Sequence, residues 1–384
     1  MTRTLLVWGA GRIGRGFVAD LFDSPAFRTV FVDLDWTLIE KLNARGRYTI
    51  VHATCDGLSR RIVENGFRAV HTSDAKALNA LFEEDQLLLD IAVHEPKLPE
   101  VADMLLPLLR HRMAVGPDSV MDVMMNVNMA HPDERFLGLM RERLTEAEFA
   151  WFTAHVGVTG IFAMCISPIA PERLLEEDSL ALFNNGYPEQ AIDRNRLKGE
   201  PPRLPRLRLT DDVAREELRK LYTLNMAHAL ISYLGLPMGL KTSREAAINE
   251  TLRPILTGAL EEASFGLCRE LGFSEDEMTA WRRTILGLLE NPYIEDNLQR
   301  LGADSRRKLG AYDRLVGPAR LCAKHGRAPV QLAKAIAAGY FYENDDPGTH
   351  AVRELVRAHG FKAALTQFSD LHPGDGIYDL ICTH

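Results

Sequence analysis

The feature that most constrains the fold is a glycine-rich turn near the start of the chain, in the segment "LLVWGAGRIGRGF" at residues 5–17. Gly9, Gly11 and Gly14 have the spacing Gly-x-Gly-x-x-Gly and follow an apolar run at 4–8 that can form a buried strand. In that setting the first glycine allows a tight turn, the second lets a pyrophosphate approach the backbone, and the third lets the next helix lie close to the sheet. The segment therefore predicts a dinucleotide-binding turn.

An acidic residue supports this interpretation. A second apolar run, "TVFVDLD", reaches Asp33 about twenty residues after Gly14, where a carboxylate binds the ribose hydroxyls of adenosine. Because a carboxylate also repels a 2′-phosphate, the cofactor is predicted to be NAD rather than NADP. The predicted cofactor-binding residues are Gly9, Ala10, Gly11, Arg12, Ile13, Gly14 and Asp33.

Length and charge narrow the class of protein. A chain of 384 residues is longer than one typical core, so two domains are expected. The formal net charge of −8 argues against binding to nucleic acid or to an anionic membrane surface. Five scattered cysteines, none in a CxxC pair, are typical of a reducing compartment, and the first strand leaves no room for a signal peptide. The sequence therefore predicts a cytoplasmic globular protein.

The pattern of apolar runs divides the chain. Strand-like runs at 4–8, 28–33, 86–93 and 113–115 alternate with helical patterns, which predicts an α/β domain with a Rossmann-type, doubly wound parallel sheet. Prolines crowd the segment 197–212, and the pattern beyond it is helical. The expected organisation is an NAD-binding domain at 1–200 and an all-helical substrate and catalytic domain at 201–384.

A helix in the second domain carries candidate catalytic groups. In "LRKLYTLNMAHALISYLG" (218–235), a regular α-helix with about 100° per residue places Asn225 at about 140° and His228 at about 80° from Lys220, on one broad face. The rest of the helix is apolar, so burial is expected to lower the pKa of the lysine and make it a general base. A structural lysine with satisfied core Asn and His side chains is the alternative.

The sequence lacks the motifs of other enzyme classes that transfer hydride. None of the nine tyrosines is followed by lysine four residues later, as in short-chain dehydrogenases, and neither HExxH nor CxxC occurs. We therefore expect a reaction without a metal ion.

Four segments together resemble the polyol-specific long-chain dehydrogenase/reductase family: "LVWGAGRIGRGF", "RKLYTLNMAHALISYLG", "ENPYIEDNLQRLG" and "RKLGAYDRL". The resemblance implies NAD(H), a Rossmann-type first domain and a helical second domain. It makes Lys220 the base, with Asn225 on the oxyanion side and His228 in the same signature. It adds Asn128 of the first domain as a second catalytic asparagine, and Arg300 and Lys308 as contacts to the substrate chain.

Some positions depart from the family pattern near the substrate. Val127 stands where the family has an acidic residue, Met164 and Cys165 replace an Asp-Arg pair, and Ala303 replaces a basic residue. The chemistry is therefore better supported than the choice of substrate.

The predicted function is NAD-dependent interconversion of a polyol or polyol phosphate and its ketose, of the mannitol 1-phosphate/fructose 6-phosphate type. One alternative is a sugar-acid dehydrogenase acting on an aldonate or 3-hydroxyacid. Another is a non-catalytic NAD-binding protein with a degenerate substrate pocket. The expected partner is the small-molecule substrate, with no nucleic acid and no membrane, and the expected state is a monomer or homodimer.

Overall fold

The structure, a computed structural model, describes residues 2–64, 66–129 and 131–384. The chain divides into two compact units, one of Met1–Ala53 with Gly57–Val213 and one of Thr54–Asp56 with Ala214–His384. Residues 201–213, expected in the second domain, therefore lie in the first unit. The reason is that strand Leu207–Thr210 pairs with strand Gln190–Asp193.

The strands form two sheets. In chain order they are β1 (Arg3–Trp8), β2 (Phe27–Asp33), β3 (Arg47–Thr54), β4 (Gly57–Glu64), β5 (Phe67–His71), β6 (Leu87–Ile91), β7 (Met121–Met125), β8 (Val156–Phe162), β9 (Leu182–Asn184), β10 (Gln190–Asp193) and β11 (Leu207–Thr210).

The larger sheet has eight strands in the order β11-β10-β8-β7-β6-β1-β2-β5. The six strands from β5 to β8 are parallel, and their order is the Rossmann order 3-2-1-4-5-6. Strand β10 joins β8 in the antiparallel direction. The predicted doubly wound sheet is confirmed. The order reverses between β1 and β6, and ligands of such sheets bind beyond the carboxyl ends of the strands at this point.

The core of the first unit lies on both faces of this sheet, which explains the continuous apolar strands. Alternate residues such as Leu6, Trp8, Leu89 and Val123 face one cluster, in which all four are almost fully buried. The helical segments of the unit are residues 12–21, Trp36–Arg45, Ala75–Phe82, Leu98–Val115, Pro132–Arg143, Glu146–His155 and Glu172–Glu177, with 3₁₀ turns at Glu95–Lys97 and Arg194–Arg196.

Residues 113–115, expected as a strand, are the last turn of the helix Leu98–Val115, so that expectation is wrong. The helix continues because Arg112 is fully buried and its guanidinium donates to the carbonyls of Phe82 and Val120, at 2.6 and 2.8 Å. An internal arginine with backbone partners is hard to recognise from a sequence, where arginine is typical of a surface.

The two sheets have different edges. Strand β5 ends the larger sheet, and Asn43 lies along it: its amide donates to the carbonyl of Ala69 and accepts from the Ala69 N–H, at 2.9 and 2.8 Å. The smaller sheet has the order β4-β3-β9, with β3 and β9 parallel.

The second unit is helical, as predicted. Within the described ranges 2–64, 66–129 and 131–384, no helix has both the length and the apolar character needed to cross a membrane. The helical segments from the end of the first unit onwards are Val213–Lys220, Leu221–Asn225, Met226–Gly235, Leu236–Met238, Ser243–Ile248, Leu252–Leu271, Glu275–Leu289, Leu298–Gly302, Ser305–Lys308, Val316–Lys324, Val330–Phe341, Pro347–His359, Phe361–Ser369 and Gly376–Ile381.

The helix Met226–Gly235 lies at the centre of the second unit. Its residues are buried on most sides, including Ala227, Leu230 and Ile231, as expected for a helix that is apolar all round. Close packing is possible where glycines meet it: a Cβ on Gly302 would lie 3.0 Å from the Cβ of Ser232. The fold thereby fixes the position of the helix that carries His228.

Candidate active site

The glycine turn follows β1 in the first unit. Gly9 has φ of +105°, and a Cβ there would overlap the carbonyl oxygen of Ala92, just beyond β6. A Cβ on Gly14 would overlap the Gly9 carbonyl oxygen, so the helix and the turn are in direct contact. At Gly11, by contrast, an added Cβ would meet nothing within 4 Å. The open backbone at Gly11 fits the approach of a pyrophosphate.

The peptide groups of Ala10 are held from both sides. Its N–H donates to Asp33 Oδ2 at 2.8 Å, and its carbonyl accepts from Arg15 Nε at 2.6 Å. The other Asp33 oxygen accepts from the N–H of Asp35 at 3.0 Å. Two hydrogen bonds therefore orient the Asp33 carboxylate, whose remaining lone pairs are available to hydroxyl donors.

Arg15 joins this turn to the rest of the unit. It is buried, and its Nη1 donates to the carbonyl of Leu180 at 2.8 Å, while its guanidinium lies over the Tyr48 ring. Burial lowers the pKa of Arg15. This residue was not among the sequence-predicted site residues, although it directly follows the glycine motif.

The helix after the turn begins with accessible residues. Arg12 is exposed and Ile13 half-buried, and a π turn follows at Gly14–Val18, in which the Ala19 N–H donates to the Gly14 carbonyl. The N–H groups of a first helical turn attract phosphate oxygens. The predicted cofactor residues from Gly9 to Asp33 are thus brought together, and they fit a dinucleotide.

Lys220, Asn225 and His228 lie on one helical segment of the second unit, which departs from a regular α-helix. Val213–Lys220 and Met226–Gly235 are α-helical, but Leu221–Asn225 between them is a π turn. The angles expected from 100° per residue are therefore wrong across this turn, because a π turn pairs residues five apart.

Burial changes the protonation of both basic groups. Lys220 has its pKa lowered by burial, against a smaller opposite effect of Glu217. Burial also lowers the pKa of His228 to about 4, with Asp296 opposing the shift and Arg300, Arg314 and Lys220 adding to it. A histidine that is neutral at pH 7 both donates and accepts a hydrogen bond.

The two predicted substrate residues have partners within the second unit. Arg300 is exposed and forms an ion pair with Asp296, with Nε 2.7 Å from Oδ1. Lys308 is only 4% exposed, and its Nζ donates to the carbonyl of Leu301 at 2.6 Å and to that of Ala303. Since Leu298–Gly302 carries Arg300, Lys308 anchors the end of that short helix.

Arg314 was missed from the sequence. It is buried, and its Nε donates to Asp313 Oδ1 at 2.7 Å. Burial lowers the pKa of Lys308 to about 8, with Arg314 and Arg307 adding to the shift, and Arg314 also adds to the effect of burial on His228. Its position in "RKLGAYDRL", one of the segments quoted for the resemblance, was the signal available. Four cationic side chains thus act on His228 or Lys308, namely Lys220, Arg300, Arg307 and Arg314.

The remaining predicted positions lie in the first unit. Asn128 follows β7 and is exposed, whereas Val127 is buried in the core cluster. Met164 is buried as well, and burial raises the pKa of Cys165 to about 12. Two of the departures from the family pattern, Val127 and Met164, are thus core residues. Within the described part of the chain, no group of three or more His, Cys, Asp or Glu side chains is placed to hold a metal ion.

A Rossmann-order sheet with an open glycine turn, accompanied by a helical unit with a desolvated lysine, defines a dinucleotide-binding oxidoreductase. Residues 3–206 match the mannitol dehydrogenase Rossmann domain, and residues 212–367 match the mannitol dehydrogenase C-terminal domain. The chain belongs to the mannitol dehydrogenase family, and the resemblance to polyol dehydrogenases is confirmed.

Two solved structures share the fold over the whole chain. A D-sorbitol dehydrogenase in substrate-free form is 16% identical, with a TM-score of 0.82, and the match covers 100% of this chain and 92% of that one. Mannitol 2-dehydrogenase of Pseudomonas fluorescens, solved with NAD and D-mannitol, is 17% identical, with a TM-score of 0.64, over 100% of this chain and 90% of that one.

Proposed function

We propose that this oxidoreductase interconverts a polyol phosphate and its ketose phosphate with Lys220 as general base, as a mannitol-1-phosphate 5-dehydrogenase does. NAD is the cofactor, as in the mannitol 2-dehydrogenase structure. The observation that carries the proposal is the desolvated amine of Lys220 on the same helical segment as a neutral histidine.

The chain's own residues handle the proton and the developing charge. NAD, held by residues 9–14 and Asp33 when bound, would supply the hydride acceptor for the carbinol carbon. Lys220 Nζ, in its neutral form, takes the hydroxyl proton as the carbonyl forms. The Asn225 amide donates to the oxygen while it carries negative charge, and neutral His228 donates a further hydrogen bond that orients the substrate. In the reverse direction the ammonium of Lys220 returns the proton to the oxygen. Asn128 remains a predicted donor to the same oxygen.

Positive charge supports an anionic end on the substrate. Arg300, Arg314 and Lys308 are the cationic side chains in this part of the second unit, and Lys308, with its pKa lowered by burial to about 8, is largely charged at pH 7. Asp296 and Asp313 offset the two arginines, whereas Lys308 donates to two backbone carbonyls and interacts electrostatically with Asp304 and Asp346. A phosphate suits this arrangement, and so does a carboxylate.

A substrate panel tests the proposal and its alternatives. With NAD⁺, kcat/KM is measured for mannitol 1-phosphate, mannitol, arabinitol and an aldonate. We expect mannitol 1-phosphate to lead mannitol by at least about a hundredfold, or some 2.7 kcal/mol. A preference for the aldonate would instead identify a sugar-acid dehydrogenase. NADH binding without turnover of any compound would identify a non-catalytic protein.

Replacing the base gives the sharpest test. Lys220→Ala is expected to lower kcat by about 10²–10⁴-fold, the usual contribution of a general base, and to leave NADH affinity within about threefold. Because burial lowers the pKa of Lys220, the wild-type oxidation rate should rise with pH and level off below 10.5, the ordinary lysine value. Lys324→Ala is the matched control, since Lys324 is exposed and paired with Glu270 at 2.7 Å. Equal rates for both variants would refute the role of Lys220.

A reaction without a metal ion, a cytoplasmic location and a monomeric or homodimeric state remain predictions from the sequence. The five cysteines are free thiols, which supports a reducing compartment.

A further inference from the structure

The π turn at Leu221–Asn225 directly follows the proposed base, Lys220, which ends the helix Val213–Lys220. The turn leads into the helix Met226–Gly235. In an α-helix each N–H bonds the carbonyl four residues earlier, whereas in a π turn the partner is five residues earlier. Lys220 and Asn225 are five residues apart. The turn therefore reduces the angle between Asn225 and Lys220 around the helix axis below the value of about 140° in a regular α-helix.

This alignment serves the proposed reaction, on which the present inference rests. Proton removal and stabilisation of the oxygen act on the same hydroxyl, so the two side chains must project towards one point. A regular helix would separate them. π turns of this kind are rare and are frequently found at functional sites.

One side chain within the π turn and one on a neighbouring helix stabilise the turn together. Thr223 is fully buried, and its hydroxyl donates to the carbonyl of Arg219 at 2.5 Å. The same oxygen accepts from Trp281 Nε1 at 2.9 Å, on the helix Glu275–Leu289. A threonine bonded to the carbonyl four residues earlier slightly destabilises a helix and often bends it. Trp281 fixes the hydroxyl in that orientation.

A second set of contacts packs the π turn against a neighbouring segment. The Tyr222 hydroxyl donates to the carbonyl of Tyr312 at 3.0 Å, and the Tyr222 ring lies against Gly317, where a Cβ would overlap it. Tyr312 and Gly317 flank Arg314, so the turn and the cationic segment are packed together.

We infer that Thr223 is a positioning residue, whose hydroxyl, held by Trp281, maintains the π turn that brings Lys220 and Asn225 into register. Thr223 does not itself contact the reacting atoms in this scheme. Its side chain acts through the backbone carbonyl of Arg219.

The test compares Thr223→Val, which removes the hydroxyl but keeps the shape, with Thr223→Ser, which keeps the hydroxyl. We expect Thr223→Val to lower kcat by about tenfold or more while KM and NADH affinity stay within about threefold, and Thr223→Ser to restore kcat to within about threefold of wild type. A crystal structure of cofactor-free Thr223→Val is expected to show residues 221–225 as regular α-helix.

Thr257→Val is the matched control. Thr257 also donates to the carbonyl four residues earlier, Arg253, at 2.9 Å, but in the regular α-helix Leu252–Leu271. An equal loss of kcat in Thr257→Val would overturn the inference. A π turn that persists in the crystal structure of Thr223→Val would also overturn it.

Trp281→Phe provides a second route if Thr223→Val does not fold. It removes the N–H that orients the hydroxyl, and we expect kcat to fall by about threefold or more. An unchanged kcat in the folded Thr223 and Trp281 variants, with Lys220→Ala inactive, defeats this inference alone. An active Lys220→Ala enzyme defeats the proposed function instead.

Discussion

The residues at 2–64, 66–129 and 131–384 contain two π turns, Gly14–Val18 and Leu221–Asn225, and both lie in segments with proposed chemistry. They are built differently. The first relies on glycines: Gly14 contacts the Gly9 carbonyl, and a Cβ on Gly16 would lie 3.3 Å from Leu182 Cδ1. The second relies on side chains, through Thr223, Trp281 and Tyr222.

The difference follows from what each segment must present. A turn that offers backbone N–H groups to phosphates works best without side chains in the way. A turn that directs the Lys220 and Asn225 side chains towards one point needs other side chains to stabilise its rare backbone conformation. We therefore expect substitutions in the first turn to affect NADH binding, and those around the second to affect kcat.

Gly14→Ala should have the largest effect. The added methyl group would overlap the Gly9 carbonyl oxygen, which belongs to the backbone and cannot rotate away. We expect the free energy of unfolding to fall by about 3 kcal/mol or more and NADH binding to be lost. Chemical denaturation and NADH fluorescence measure the two effects. Gly138→Ala is the control, because a Cβ there meets nothing within 4 Å. If both variants lost equally little stability, the proposed contact between Gly14 and the Gly9 carbonyl would be contradicted.

Gly317→Ala should have an intermediate effect on the other turn. Its methyl group would overlap the Tyr222 ring, which can shift only by losing its bond to the Tyr312 carbonyl. We expect a stability loss of about 1–3 kcal/mol, with kcat reduced about tenfold and NADH affinity nearly unchanged. Gly376→Ala, with open space around its Cβ, is the control. A weaker NADH affinity with normal kcat would reverse the assignment of the two turns.

Gly11→Ala should have the smallest effect on the fold. Its φ is not positive and its surroundings are open, so stability should stay the same or rise by about 0.4–1 kcal/mol. The methyl group would occupy the space proposed for the pyrophosphate. We therefore expect NADH to bind about tenfold more weakly, or by about 1.4 kcal/mol. Unchanged NADH affinity in a titration would place the phosphates elsewhere.

Local motifs predicted most of the first unit. The glycine spacing and Asp33 are adjacent to strands that are apolar on both faces, so sequence and structure agree from β1 to β2. The hairpin of β3 and β4 was not expected, because Leu58 and Ile62 of β4 are exposed and give no clear alternation of buried and exposed residues.

The helical segment with the proposed catalytic residues shows a different limit. Lys220, Asn225 and His228 were predicted from the sequence, but the predicted directions of their side chains assumed a regular helix. The π turn depends on Trp281, which lies far away in the sequence. Buried cations were the other difficulty: Arg15, Lys308 and Arg314 satisfy backbone carbonyls or a carboxylate, and such partners become visible only in three dimensions.

The contact between Asn43 and strand β5 has a consequence for assembly. An outer strand normally leaves N–H and carbonyl groups ready to pair with a strand of another molecule. Here the carboxamide of Asn43 already engages both groups of Ala69, as a neighbouring strand would. A second molecule could extend the sheet at this position only by displacing that side chain. Asn43 thus covers the middle of the outer strand, one of the places where an intermolecular sheet could begin to grow.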